Sequence, residues 1–125
     1  MATTNQNRLL TPEVLAAFEG HELYSQDGKK KDDKCIAVFH IGNIRWYFIE
    51  GQTDGEDFIF YGVVLGLVAN EYGYVSANEM ASISIDASKY GLGILKVEQA
   101  TDFHPYRLTD IDDSELQEFL SGLYD

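Results

Sequence analysis

CIAVFHIGNIRWYFIE, residues 35–50, decides the fold. Cys35 to His40 is apolar and rich in strand formers, and Ile44 to Glu50 is β-branched and aromatic. Gly42-Asn43 between them is a turn signal, so the stretch predicts an antiparallel β-hairpin. The two-residue period of a strand puts Trp46 and Phe48 on one face and Arg45, Tyr47 and Ile49 on the other. The same period separates Cys35 from His40, five residues apart, onto opposite faces, which argues against a Cys–His nucleophilic pair.

Outward from the hairpin, Phe58 to Val68 reads as a third strand, with Gly62 and Gly66 suggesting a bulge or a close backbone approach. Asn70 to Gly73 reads as a turn and Tyr74-Val75 as a short strand. Ser76-Ala77-Asn78-Glu79 has capping-box spacing and predicts a short helix to about Ser82. Gly91 and Gly93 break the pattern, and Ile94 to Val97 forms a further strand. Near the start, Thr11-Pro12-Glu13 places a hydroxyl cap, a first-turn proline and an acid at the positive end of a helix dipole. That helix carries Val14, Leu15 and Phe18 and ends by Gly20. At the other terminus, Asp112-Asp113-Ser114-Glu115 opens a helix whose Leu116, Phe119, Leu120 and Leu123 make an apolar stripe. Residues 25–34, SQDGKKKDDK, form a charged loop holding Lys29, Lys30 and Lys31. The expected architecture is a flexible tail over residues 1–8 and a single α+β domain over 9–125. That domain is an antiparallel β-sheet with flanking short helices and a C-terminal amphipathic helix.

The composition suits such a domain: 125 residues, 45% apolar and 24% charged. A chain of this length buries roughly two thirds of its unfolded surface without disulfides. Its one cysteine excludes an intrachain disulfide and fits a reducing cytoplasm. The N-terminus lacks the basic and apolar regions of a signal peptide. The longest apolar run, Phe58 to Ala69, is shorter than the roughly 20 residues a bilayer requires.

The charge is less ordinary. Nine Lys and Arg oppose 21 Asp and Glu, for a net charge of −12. Nucleic-acid binders present basic faces, so direct binding of DNA or RNA is disfavoured, as is an anionic membrane. The acids fall in two blocks. Between Trp46 and Ser88 there are seven and no Lys or Arg, including Glu50, Asp54, Glu56 and Asp57. The block 101–125 has seven acids, among them Asp110, Asp112, Asp113, Glu115 and Glu118, against Arg107 alone. Gathered on one face, these carboxylates would attract a basic surface, and a rigid array of them imitates phosphates. Solvated faces of a soluble acidic protein are the simpler alternative. Glu50, Asp54, Glu56 and Asp57, read as a crowded loop, could instead hold a divalent cation for a small metal-dependent enzyme. They do not match a calcium-binding loop, and no familiar catalytic motif is present, so no catalytic, metal or cofactor residues are assigned. Tyr61, Tyr72, Tyr74, Tyr90 and Tyr106 fit half-buried sheet positions or an exposed interface, such as an oligomeric module would use.

Trp46-Tyr47, Glu50-Gly51, Asp57-Phe58-Ile59-Phe60-Tyr61-Gly62, Val64, Gly66, Glu71, Gly73-Tyr74, Ser76 and Glu79 form an ordered series. With Leu9-Leu10-Thr11, it resembles a family of small bacterial proteins carrying a domain of unassigned function. These are encoded on plasmids, conjugative elements and phages, near antirestriction genes. The resemblance covers about residues 9–110. It departs after Gly91-Leu92, where the family's Glu-Arg-Asp run is replaced by Lys96-Val97-Glu98-Gln99-Ala100. Evasion of host defence is what the resemblance implies. The expectation is therefore an acidic inhibitor of a CRISPR or restriction nuclease, acting as a nucleic-acid mimic. It binds a protein partner with a basic nucleic-acid-binding surface through Glu50, Asp54, Glu56, Asp57, Asp110, Asp112, Asp113, Glu115 and Glu118.

Overall fold

A computed structural model describes residues 7–26, 32–67, 69–100 and 105–124. The predicted hairpin is present as β2 (Ala37–Ile41) and β3 (Ile44–Asp54), joined through Gly42-Asn43 with Ile41 opposite Ile44. β4 (Asp57–Leu65) and β5 (Glu71–Ser76) extend the sheet on one side, and the short β8 (Glu98–Gln99) closes the other. The result is a five-stranded antiparallel sheet in the order β5-β4-β3-β2-β8. β1 (Lys34–Cys35) pairs with β9 (Tyr106–Arg107), and β6 (Ser84–Asp86) pairs with β7 (Ile94–Lys96). The strand predicted at Ile94 to Val97 therefore belongs to a separate small hairpin.

β3 is buried on both faces from Trp46 to Gly51, which is why Trp46 to Ile49 is apolar without alternation. On one face Trp46 and Phe48 join Phe39, Phe58 and Phe60, and the rings of Phe48 and Phe60 stack 4.4 Å apart. Helices α1 (Pro12–Ala17) and α2 (Ala77–Ser82) close this side with Val14, Phe18, Ala77 and Met80. On the opposite face Tyr47 and Ile49 meet Cys35, Val38, Val63 and Leu65. Helix α3 (Ser114–Tyr124) covers them with Leu116 and Leu120. The fold is one α+β domain, with the sheet between two helical layers. Both predicted N-caps are present: the Thr11 hydroxyl accepts from Val14 N at 3.2 Å, and the Ser76 hydroxyl from Glu79 N at 3.1 Å.

Two bulges reset the alternation read from the sequence. Ile36 N–H donates to the Phe48 carbonyl while Ala37 also lies opposite Phe48, so two residues face one. Cys35 consequently joins Val38 in the α3-side cluster, the face His40 takes by alternation. The predicted separation of Cys35 and His40 onto opposite faces is corrected accordingly. They remain about 13 Å apart along the strand, and the buried Cys35 thiol donates to the Ala37 carbonyl. The second bulge lies between Phe48 and Glu50, where Gly62 faces Phe48 and Tyr61 faces Glu50. A Cβ on Gly62 would lie 2.0 Å from the Tyr47 carbonyl oxygen, the close approach its glycine suggested.

Other boundaries move. The third strand ends at Leu65, because Gly66 turns the chain with φ +92°. Val68 lies outside the described residues. Glu71 to Gly73, read as turn, is strand: Gly73 pairs with Gly62 across the β4–β5 ladder. Of the expected tail, residues 1–6 lie outside the described residues. Asn7 Nδ2 donates to Asn78 Oδ1 at 3.0 Å, and Arg8 reaches the Val97 carbonyl at 2.6 Å. Lys29, Lys30 and Lys31 also lie outside the described residues. The Gln26 side chain binds the start of β1, donating to the Lys34 carbonyl and accepting from Lys34 N.

Candidate functional site

The nine predicted contact residues do not form one surface. Glu50 is not in a loop; it lies within β3 and is 1% exposed. The bulge at Ile49 turns it out of the phenylalanine core and under the segment 24–26. Its two carboxylate oxygens accept from Tyr24 N at 2.7 Å and Gln26 N at 2.9 Å. Asp57 accepts from Phe58 N, the Ser76 hydroxyl and Asn78 N. Partial burial opposes its ionisation, but those donors outweigh it and hold the carboxyl below the usual aspartate value. Glu50 and Asp57 thus fasten the fold; the burial of Glu50 corrects its assignment to a partner-binding patch, while Asp57 stays half-buried. Asp54 and Glu56 flank Gly55 at the exposed tip of the β3–β4 hairpin.

The second block is also largely engaged. Asp113 caps α3 by accepting from Glu115 N and Leu116 N, and it receives the Tyr47 hydroxyl at 2.6 Å and Arg45 at 3.1 Å. Here too burial opposes ionisation; the Tyr47, Leu116 and Arg45 donors prevail and lower the pKa of Asp113. Glu115 pairs with Arg45 at 2.9 Å and accepts from Asn70, and both contacts lower its pKa. Asp110 pairs with Arg107 at 2.9 Å. Asp113 and Glu115 are thus internal ion-pair partners, Asp113 with 13% of its side chain exposed and Glu115 with 45%. Asp112 and Glu118 stay exposed.

The hairpin-tip acids and the acids bound to Arg45 lie far apart. Asp113 and Glu115 meet Arg45 near the start of β3, and Asp54 ends the same strand nine residues later, about 30 Å away at the usual rise. That is several Debye lengths at physiological salt, so these two groups do not act as one field. Glu71 of the first block lies at the Arg45 end, opposite Val64, which pairs with Trp46. Nor do the four central acids converge as a metal site: Glu50 is buried, Asp57 caps α2, and Asp54 and Glu56 sit at the tip. Among the described residues, no group of three His, Cys, Asp or Glu side chains is placed to hold a metal ion.

What the structure does assemble is an acidic rim at the hairpin end. The chain after α1 returns beside β3, where the His21 carbonyl accepts from Gly51 N at 2.9 Å. This makes a groove of about 300 Å³, floored by Leu15, Phe18, Gly51 and Phe58 and edged by Glu19, Glu22, Gln52 and Thr53. Asp54 and Glu56 continue the edge at the tip, and Asn78 at the start of α2 donates to the Glu56 carbonyl. Glu19 and Glu22 were not singled out from the sequence. Their signal was local: two acids follow the C-terminal end of α1, where the helix dipole favours cations. Neither segment building this end, residues 9–26 or 49–60, contains a Lys or Arg.

No protein-family model, curated protein or solved structure matches the chain.

Proposed function

We propose that the protein is an inhibitor that docks its acidic hairpin end into the basic groove of a nucleic-acid-handling defence enzyme, a CRISPR or restriction nuclease. The observation that carries this reading is a groove edged by Glu19 and Glu22, whose β3 side, Gln52-Thr53, runs directly into the hairpin tip that bears Asp54 and Glu56. Rigidity supports it. The tip belongs to a long two-stranded ladder, and α1 is held by the burial of Val14 and Phe18. The backbone that carries these exposed carboxylates is thus held in place, as a duplex holds its phosphates. The groove floor adds apolar area that a pure phosphate array lacks, suiting a partner groove that is basic with an apolar anchor. The resemblance of the Trp46–Glu79 series to mobile-element proteins directs the reading towards host defence rather than towards basic proteins at large.

The test is binding to a panel of purified restriction and CRISPR nucleases, measured from 50 to 500 mM salt and in competition with each enzyme's own nucleic acid. The reading expects mutually exclusive binding that weakens steeply with salt. It expects at least tenfold loss with D54K/E56K and with E19K/E22K, and little change with D112K/E118K. Simultaneous binding of protein and nucleic acid, or equal affinity in all three double variants, overturns it.

A further inference from the structure

Away from that groove, β5 is an edge strand: among the described residues only β4 pairs with it. The register settles which of its backbone groups face outward. The two-residue loop Gly55-Glu56 closes the β3–β4 hairpin on Asp54 and Asp57. Counting from that pair, Phe60, Gly62 and Val64 turn their N–H and C=O groups towards Val75, Gly73 and Glu71. The N–H and C=O groups of Tyr72 and Tyr74 therefore point away from the sheet. Three usual guards of an open edge are absent from β5: EYGYVS contains no Lys or Pro, and the β4–β5 register runs without a bulge.

Beside this edge runs a row of aromatic rings. Tyr24 and Tyr74 lie 6.5 Å apart, Tyr74 and Tyr61 4.7 Å, Tyr61 and Tyr72 5.7 Å, and Tyr72 and Phe119 of α3 5.8 Å. α3 covers the Tyr72 end. At the other end Tyr24 is 64% exposed and Tyr74 54%. Tyr24 is, among the described residues, the one non-glycine with positive φ, at 74°. Such a backbone is strained for a residue with a Cβ, and a ring so exposed recovers little of that cost by burial. The conformation is held by the Glu50 carboxylate, which binds the Tyr24 and Gln26 amides. A strained residue, fixed by a buried acid, thus presents a tyrosine to solvent next to an open strand edge.

We infer that β5 is the docking edge for an extended protein segment that adds a strand through Tyr72 and Tyr74 and lays basic side chains over the Tyr74 and Tyr24 rings. The backbone supplies the pairing, and alternate guest side chains supply the selectivity. Guest residues opposite Tyr72 and Tyr74 project onto the same face as those rings. Arginine suits the position: its guanidinium stacks on tyrosine faces. Glu50, which lies opposite Tyr61 on the same face and holds the Tyr24 amide, and the net charge of −12 attract it. This surface is separate from the acidic groove, so either can be tested without the other.

The probe is a capped six-residue peptide alternating arginine and threonine. Amide hydrogen exchange of the full chain is followed by NMR. In the free protein the Tyr72 and Tyr74 amides exchange quickly, while Gly73 and Val75 are protected by β4. Saturating peptide slows exchange at Tyr72 and Tyr74 at least tenfold. A peptide of the same sequence and charge, N-methylated at alternate residues, fails to do so, and Y24A weakens the parent peptide about threefold. Equal binding of the N-methylated peptide means that charge alone holds it and overturns the inference, as does saturation without protection at Tyr72 and Tyr74. Protection that rises with protein concentration in the absence of peptide assigns the edge to a second copy and overturns it as well.

Discussion

Glu50 shows how one residue's role depends on a single ladder irregularity. Had the alternation of Trp46 and Phe48 continued, its carboxylate would point into the phenylalanine core, where an unpaired charge is very costly. The bulge at Ile49 sends it to the other face, where two backbone amides meet it. Glu50→Ala leaves those amides without their acceptor. The expected loss is about 2–4 kcal/mol, since hydrogen bonds to a charged group are worth more than neutral ones. A urea melt followed by circular dichroism measures it. Glu50→Gln, which keeps one carbonyl oxygen but adds donors facing donors, falls between wild type and the alanine variant. An E50A midpoint equal to wild type contradicts this account of the 24–26 segment. The sequence shows Glu50 beside Gly51 in a strand-like run, but which face it takes depends on the partner strand.

Among the elements, the helices were the most legible, because their signals are local. Thr11 and Ser76 cap as their spacing predicted, and the stripe at Leu116 marked α3. The stripe treats Leu120 and Leu123 alike, whereas docking does not: Leu120 is 1% exposed and Leu123 52%. Leu120→Ala is expected to cost about 2–5 kcal/mol by opening a cavity against the β3–β4 face. Leu123→Ala is expected to stay within about 0.5 kcal/mol, as surface substitutions usually do. Comparison of their denaturation midpoints checks the pair, and equal effects would mean that α3 docks in a different rotation. β5 was only half legible, because Glu71 to Gly73 read locally as a turn. They are strand because Gly62 and Gly73 face each other across β4 and β5, a pairing eleven residues apart.

For the whole molecule, the acids act in two senses. Asp57, Asp113 and Glu115 titrate below their ordinary values because donors in the fold hold the charged forms. A carboxyl whose folded pKa is depressed contributes stability above its unfolded value and loses it as pH falls through the folded one. The unfolded values are 3.8 for Asp and 4.5 for Glu. Stability from this source is thus complete near pH 6 and declines below about pH 4.5. Mutual repulsion within a chain of net charge −12 works in the opposite direction, relaxing as acids protonate. Thermal melts from pH 7 down to pH 2.5 are expected to rise slightly before falling steeply below about pH 4. Asp113→Asn flattens the acid limb and lowers the plateau, since Arg45 and Tyr47 lose their charged partner. An unchanged acid limb in D113N contradicts that role.

The sequence by itself determined the fold class, the β2–β3 hairpin, both capped helices, the α3 stripe and the surplus of acid. Each depends on residues within a few positions of one another, where backbone preference, turn chemistry and periodicity act directly. Only the tertiary structure decided which acids fasten the fold and which face outward. It buried Glu50, engaged Asp57, Asp113 and Glu115 in hydrogen bonds and ion pairs, brought Glu19 and Glu22 beside β3, and set the hairpin-tip acids and the Arg45-bound acids at opposite ends of that strand. It also left Tyr24 and Tyr74 uncovered beside an open edge. The physical reason is that a carboxylate's role is set by the donors around it, and here those donors come from distant strands and loops whose meeting depends on register and bulges.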